Sequence, residues 1–125
     1  MKIAIYGYGN LGRGVECALR QAPDMECVGV FTRRPPESVQ TVLGAPVYHV
    51  DDLERYIAEN DVRVGVLTVP AGVATVMARR LEDCGIKGIW NFTNIELPVT
   101  QEDVKVESVH FADSLLTLSY MISEE

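Results

Sequence analysis

"KIAIYGYGNLGRGVECALR", residues 2–20, passes from a short apolar run through spaced glycines into residues at helical spacing. "KIAIYG" (2–7) lacks polar alternation, as a strand buried on both faces does. "NLGRGVECALRQA" (10–22) carries Leu11, Val15 and Leu19 on one helical face. Between them stands Gly7-x-Gly9-x-x-Gly12. In that position Gly7 allows a tight turn, Gly9 lets the backbone approach a pyrophosphate, and Gly12 lets helix and strand pack closely. The helix start adds N–H donors and a partial positive charge for the same anion. Glycines also mark plain turns. The strand–turn–helix context selects the phosphate-loop reading over a glycine-rich turn in an unliganded α/β domain.

Outward from this loop, strands and helices alternate. "MECVGVF" (25–31) reads as a second strand and "PVYHV" (46–50) as a short third, after which Asp51 or Asp52 can cap a helix to about Ala58. "RVGVLTV" (63–69) is continuously apolar and stops at Pro70. "AGVATVMARRLEDCG" (71–85) puts Ala74, Met77, Ala78 and Leu81 on one helical face, with Gly85 as its stop. "IKGIWNF" (86–92) and "VKVESVHF" (104–111) are two further strands, and "ADSLLTLSYMI" (112–122) is a closing helix. The fold expected is α/β, a doubly wound parallel Rossmann sheet of six strands, forming one domain over residues 1–125.

Composition narrows the function classes. A formal net charge of −7 argues against nucleic acid as a partner. No run of 18 apolar residues and no charged-then-apolar leader occurs, so a cytoplasmic protein without a membrane partner is expected. Cys17, Cys27 and Cys84, three and widely spaced, read as buried free thiols. His49 and His110 lack the company of carboxylates or cysteines that a metal site needs. Ser114 and Ser119 have no nucleophile context, and the acid pairs Asp51-Asp52 and Glu124-Glu125 read as a helix cap and a solvated tail. No catalytic constellation is visible, and six strands leave no residues for a substrate domain. Trp90 and Phe92 fit a nicotinamide flank or core packing equally.

"VFTRRPPE" (30–37) bears on cofactor choice. Thr32 falls twenty residues beyond Gly12, where an acid usually binds the free 2′-hydroxyl of NAD. Here Thr32, Arg33 and Arg34 stand instead, and forked guanidinium groups suit a 2′-phosphate. NADP(H) is therefore favoured over NAD(H), the alternative being a solvated basic loop tip.

Two resemblances follow from these residues. "IAIYGYGNLGRGVE", "APDMECVGVFTRRPPESV" and "APVYHVDDLE", within residues 1–56, resemble the NADP-binding N-terminal part of meso-diaminopimelate dehydrogenase. That resemblance implies that Tyr8, Gly9, Asn10 and Leu11 line the pyrophosphate, and Thr32, Arg33 and Arg34 the 2′-phosphate. From about residue 61, "VGVLTVPAGVATVMARRLEDCGIKGIWNFTNIELPVTQEDVKVESVHFADSLLTLSYMI" resembles the C-terminal half of the Rossmann domain of the redox-sensing repressor Rex. It implies that Thr68, Val69 and Pro70 lie along the cofactor, Asn91, Phe92 and Thr93 lie near the nicotinamide, and residues 112–122 are exchanged between two subunits. His110 stands where that family commonly carries an acid. Neither the DNA-binding domain of Rex nor the substrate domain of the dehydrogenase is expected in these residues. The change of resemblance near residues 57–62 suggests an engineered chimera or a recombined minimal domain, with a divergent natural domain as the alternative.

The function expected is a minimal module binding NADP(H) without turnover of its own. The alternative is an NAD(H)-sensing regulatory domain of the Rex type, and an oxidoreductase fragment ranks third. The closing helix carries Leu115, Leu116, Leu118, Tyr120, Met121 and Ile122, leaving few polar sides, so it needs a covering partner. A homodimer through 112–122 is expected. Light scattering of the purified chain at tens of micromolar should give a dimeric mass; a monomeric mass rules the dimer out.

Overall fold

The computed structural model describes residues 1–93, 95–109 and 121–122. The chain runs β1 (Lys2–Tyr6), α1 (Asn10–Arg20), β2 (Glu26–Thr32), β3 (Val47–His49), α2 (Leu53–Asn60), β4 (Val64–Leu67), α3 (Ala71–Asp83), β5 (Gly88–Asn91) and β6 (Lys105–Ser108). All pairings are parallel, in the order β3-β2-β1-β4-β5-β6. The order reverses direction between β1 and β4, the arrangement of a doubly wound nucleotide fold.

Alternation along β1 explains why its strand has no polar side. Ile3 and Ile5 pack with Val15 and Leu19 of α1, together with Val30 and Val66. Ala4 and Tyr6 face the opposite layer, built from Leu53 and Ile57 of α2 and Met77, Ala78 and Leu81 of α3. Each of the larger side chains, fully buried, contributes roughly 1.5–3 kcal/mol. An aromatic series crosses this second layer. Tyr6 stacks on Phe31 at 5.3 Å, and Phe31 meets Tyr48 at 5.3 Å and Tyr56 edge-on at 5.4 Å.

Arg80 ties the two helices of that layer together. Its Nε and Nη2 donate to Glu54 at 2.7 and 2.9 Å, and Nη2 also donates to the Val50 carbonyl at 2.7 Å. The β5–β6 crossover is a loop held from α3. The buried Glu82 carboxylate accepts from the amides of Thr100 and Gln101 and from the Thr100 hydroxyl, at 2.7–2.9 Å.

Several expectations shift in detail. The first helix ends at Arg20 rather than residue 22, because Pro23 disfavours the helical conformation at Ala22. Leu11 does not join Val15 and Leu19 inside; it is 37% exposed. Asp52 stands at the N-cap of α2, but its side chain makes no capping hydrogen bond. The His49 ring accepts from the Asp51 amide through Nδ1 at 3.1 Å, while Asp52 accepts from Arg55 at 2.8 Å. Gly85, at φ +83°, follows the end of α3 in the left-handed region. The thiols are free but not all buried: Cys17 is exposed, and Cys27 and Cys84 are half-buried. Burial pushes the Cys27 thiol up to about 11. Among the described residues no helix is long and apolar enough to cross a membrane. The helix expected over 112–122 lies outside the described residues except for Met121 and Ile122, which are helical and exposed.

Two substitutions test this packing. The Tyr6 hydroxyl is buried without a hydrogen-bond partner among the described residues, and such a group costs about 1–3 kcal/mol. Tyr6→Phe should therefore leave the urea midpoint unchanged or raise it. A Cβ on Gly12 would lie 2.6 Å from the Gly7 carbonyl oxygen, a backbone atom that cannot swing aside. Gly12→Ala should lower the same midpoint by the equivalent of about 1–3 kcal/mol.

Candidate functional site

A cavity of about 1020 Å³ opens beyond the C-terminal ends of β1, β2 and β4, the place where open α/β sheets receive ligands. Three loops make its wall: Gly7, Tyr8 and Gly9 after β1, Arg33 and Arg34 beyond the β2 residues Phe31 and Thr32, and Thr68, Val69 and Pro70 after β4. Arg13 on α1, Val50 and Met77 complete it.

The glycine loop is shaped from below. Gly7 takes φ +91°, and a Cβ there would meet the Thr68 carbonyl oxygen at 2.9 Å. Its amide donates to the Phe31 carbonyl at 2.9 Å. The Thr68 hydroxyl donates to the Gly7 carbonyl at 2.6 Å and lies 3.0 Å from the Tyr6 carbonyl. A Cβ on Gly9, by contrast, would meet nothing within 4 Å, so this residue borders open space. Gly9 is also the N-cap of α1, with no side-chain cap and no acid in the first turn. The first N–H groups of a helix have no intrahelical partners, and no carboxylate of that turn competes for an incoming anion.

The β2 loop brings its cations to the same wall. The buried Thr32 accepts from the Arg34 amide through Oγ1 at 3.1 Å, which leaves its own O–H free to donate. Arg34 Nη2 donates to the Tyr8 carbonyl at 3.1 Å, joining the end of β2 to the glycine loop. The Arg13 guanidinium lies 5.8 Å from the Tyr8 ring centroid. None of Arg13, Arg33 and Arg34 has an ion-pair partner among the described residues. Three unpaired cations around one cavity, in a chain of net charge −7, make a wall suited to anionic groups. Phe31, Val50, Val69 and Met77 offer an apolar counterpart for a flat ring.

Beneath the wall lies a network that the sequence pattern does not announce. The Tyr8 hydroxyl donates to Glu16 Oε1 at 2.5 Å and accepts from the Val42 amide at 2.8 Å. Burial first, and then this bond to Glu16, raise the Tyr8 phenol above its ordinary value, so it stays a donor at neutral pH.

Not every residue expected at the site stands in the wall. Asn10 is the first residue of α1, Leu11 is exposed, and Gly12 is buried against Gly7. Asn91, Phe92 and Thr93 do not line the cavity. Asn91 is 1% exposed, and its amide is saturated internally. Nδ2 donates to the Ile95 carbonyl at 2.7 Å and to Ser108 Oγ at 3.2 Å, while Oδ1 accepts from the Thr93 amide and hydroxyl at 2.9 and 2.5 Å. These groups hold the loop after β5. Phe92 packs on Trp90 at 4.7 Å, both partly buried against the Val15–Leu19 side of the sheet. His49 has a carboxylate beside it after all: Asp51 Oδ2 lies 3.2 Å from Nδ1. Among the described residues no three His, Cys, Asp or Glu side chains gather to hold a metal. His110, Ser114, Ser119, Glu124 and Glu125 lie outside the described residues.

Known proteins share this architecture. The redox-sensing transcriptional repressor Rex of Caldicellulosiruptor saccharolyticus is 41% identical over 125 residues, covering 99% of this chain and 57% of that protein. The chain thus spans just over half the length of that curated relative. The meso-diaminopimelate D-dehydrogenase of Ureibacillus thermosphaericus is 55% identical over 64 residues, covering 51% of this chain and 20% of that protein. The solved structure of RSP, a Rex-family repressor, in complex with β-NADH superposes with a TM-score of 0.88 at 35% identity, over 98% of this chain and 59% of that one. The family described as CoA binding domain matches residues 1–95. By that match over most of its length, the chain belongs to the CoA binding domain family.

Proposed function

We propose that the chain is a dinucleotide-binding domain of the Rex type, holding a pyridine nucleotide in the cavity between β1, β2 and β4. The observation that carries this reading is the set of three unpaired arginines around a helix start that bears no acid. The pyrophosphate meets the amides at Gly9 and the start of α1. The adenosine ribose meets Thr32, Arg33 and Arg34, and the adenine packs among Val50, Val69 and Met77. Thr68, Val69 and Pro70 run along the ligand toward its nicotinamide end. In this reading the domain holds the nucleotide and reads it without turning it over.

Within this reading the arginine pair selects NADP(H) through the 2′-phosphate, and Thr32 adds a hydroxyl donor. The likeness to a Rex-family repressor that binds β-NADH supports a second reading, in which NAD(H) is the ligand and the arginines are a loop tip. The Rex likeness crosses residues 57–62 without a break, so a hybrid origin is not required by either reading. A homodimer through 112–122 and a cytoplasmic setting belong to the Rex-type proposal. Its negative charge keeps nucleic acid away from this domain itself.

The test is a titration with NADPH and with NADH, followed by nicotinamide fluorescence, on the chain and on Arg33→Ala with Arg34→Ala. NADPH should bind more tightly. The double substitution should weaken it at least tenfold, since each charge-assisted contact is worth roughly 1.5–3 kcal/mol. An open cavity makes binding about micromolar at best. Tighter NADH binding, untouched by the substitutions, would establish the second reading. CoA also bears a ribose phosphate; its displacement of NADPH would widen the ligand class.

A further inference from the structure

Glu16 sits on the inner side of α1, 2% exposed, without a basic partner among the described residues. A carboxylate so buried is tolerated only where donors surround it. Three do. Oε1 accepts from the Tyr8 hydroxyl at 2.5 Å, and Oε2 accepts from the Leu43 and Ala45 amides at 3.2 and 3.3 Å. The Val42 amide donates to the Tyr8 oxygen at 2.8 Å, so the phenolic proton must point at Glu16. All three of these groups are donors, a pattern that an acceptor-only side chain matches and an amide does not.

This cluster has no bond of its own to the cavity, yet it touches two of its elements. Tyr8 lies between Gly7 and Gly9, and its carbonyl accepts from Arg34. Its ring carries the Arg13 guanidinium. Residues 42–45 belong to the stretch between the arginine pair and β3. Glu16 is thus the point at which the glycine loop, the arginine loop and residues 42–45 are held in one arrangement.

We propose that Glu16 is a specificity-determining positioning residue. Through Tyr8 it sets where Arg34 stands, and so determines how well the site receives a ribose phosphate. The proposal rests on the dinucleotide reading above and names the residue that tunes it. Glu16→Gln keeps the size but turns one acceptor into a donor facing donors. Tyr8→Phe removes the hydroxyl and leaves the amides of Leu43 and Ala45 on Glu16.

The experiment measures NADPH and NADH affinities for the chain, for both variants, and for Glu16→Gln combined with Arg34→Ala, with thermal melting to verify folding. Glu16→Gln should weaken NADPH about tenfold, the equivalent of one charge-assisted bond lost from Arg34, and NADH by less than about threefold. Tyr8→Phe should act in the same direction. In the Arg34→Ala background the preferential loss should vanish. Equal weakening of both nucleotides would overturn the proposal and leave Glu16 a purely structural residue.

A second readout needs no ligand. In Glu16→Gln the Leu43 and Ala45 amides should exchange faster, in Tyr8→Phe the Val42 amide should, and in both the Arg34 guanidinium resonance should shift. An unmoved Arg34 resonance overturns the proposal even in a protein that binds neither nucleotide. Failure of the dinucleotide reading shows separately, as absence of binding by the unaltered chain or indifference to the Arg33 and Arg34 substitutions.

Discussion

The backbone contact between Gly12 on α1 and Gly7 at the end of β1 sets the geometry of everything above it. Any side chain at Gly12 would press on the Gly7 carbonyl, and any at Gly7 on the Thr68 carbonyl. With hydrogen atoms alone at both positions, the start of α1 drops onto the junction of β1 and β4. That junction is where the sheet reverses its order, so helix N–H donors arrive at the one place the topology leaves open. Thr68 then closes the arrangement by donating its hydroxyl to the Gly7 carbonyl.

Electrostatics complete what packing begins. Arg55 and Arg80 pair with carboxylates, Asp52 and Glu54. Arg13, Arg33 and Arg34 do not, among the described residues, and they gather on one wall. Their charges face a cavity rather than partners, which preserves an attraction that salt bridges would have spent. The oxygens of the buried Glu16 are taken by Tyr8 and two loop amides.

The strands, their parallel arrangement and the glycine loop were legible because they rest on local rules. A continuous apolar run such as residues 64–67 has few alternatives, and Gly85 at the end of an apolar-periodic stretch marks a helix stop. The arginine pair was legible through its spacing from the glycines. Less legible were residues whose role depends on distant neighbours. Leu11 keeps helical spacing with Val15 and Leu19 yet is exposed, in the first turn of α1. Asn91 and Thr93 read as ligand contacts, but Ile95 and Ser108 complete a bonding set that already satisfies Asn91.

The sequence by itself determined the fold class, the glycine loop between β1 and α1 and the cationic character of the loop after β2, because each is written in short-range patterns of size, charge and conformational freedom. Only the tertiary structure decided which residues share the cavity. It brought Arg13 and Met77 into the wall, withdrew Asn91 and Thr93 from it, and buried Glu16 under Tyr8. The physical reason is that a polar group's role is set by whether its hydrogen bonds are already satisfied. That balance is struck between residues far apart in the chain, where spacing carries no information.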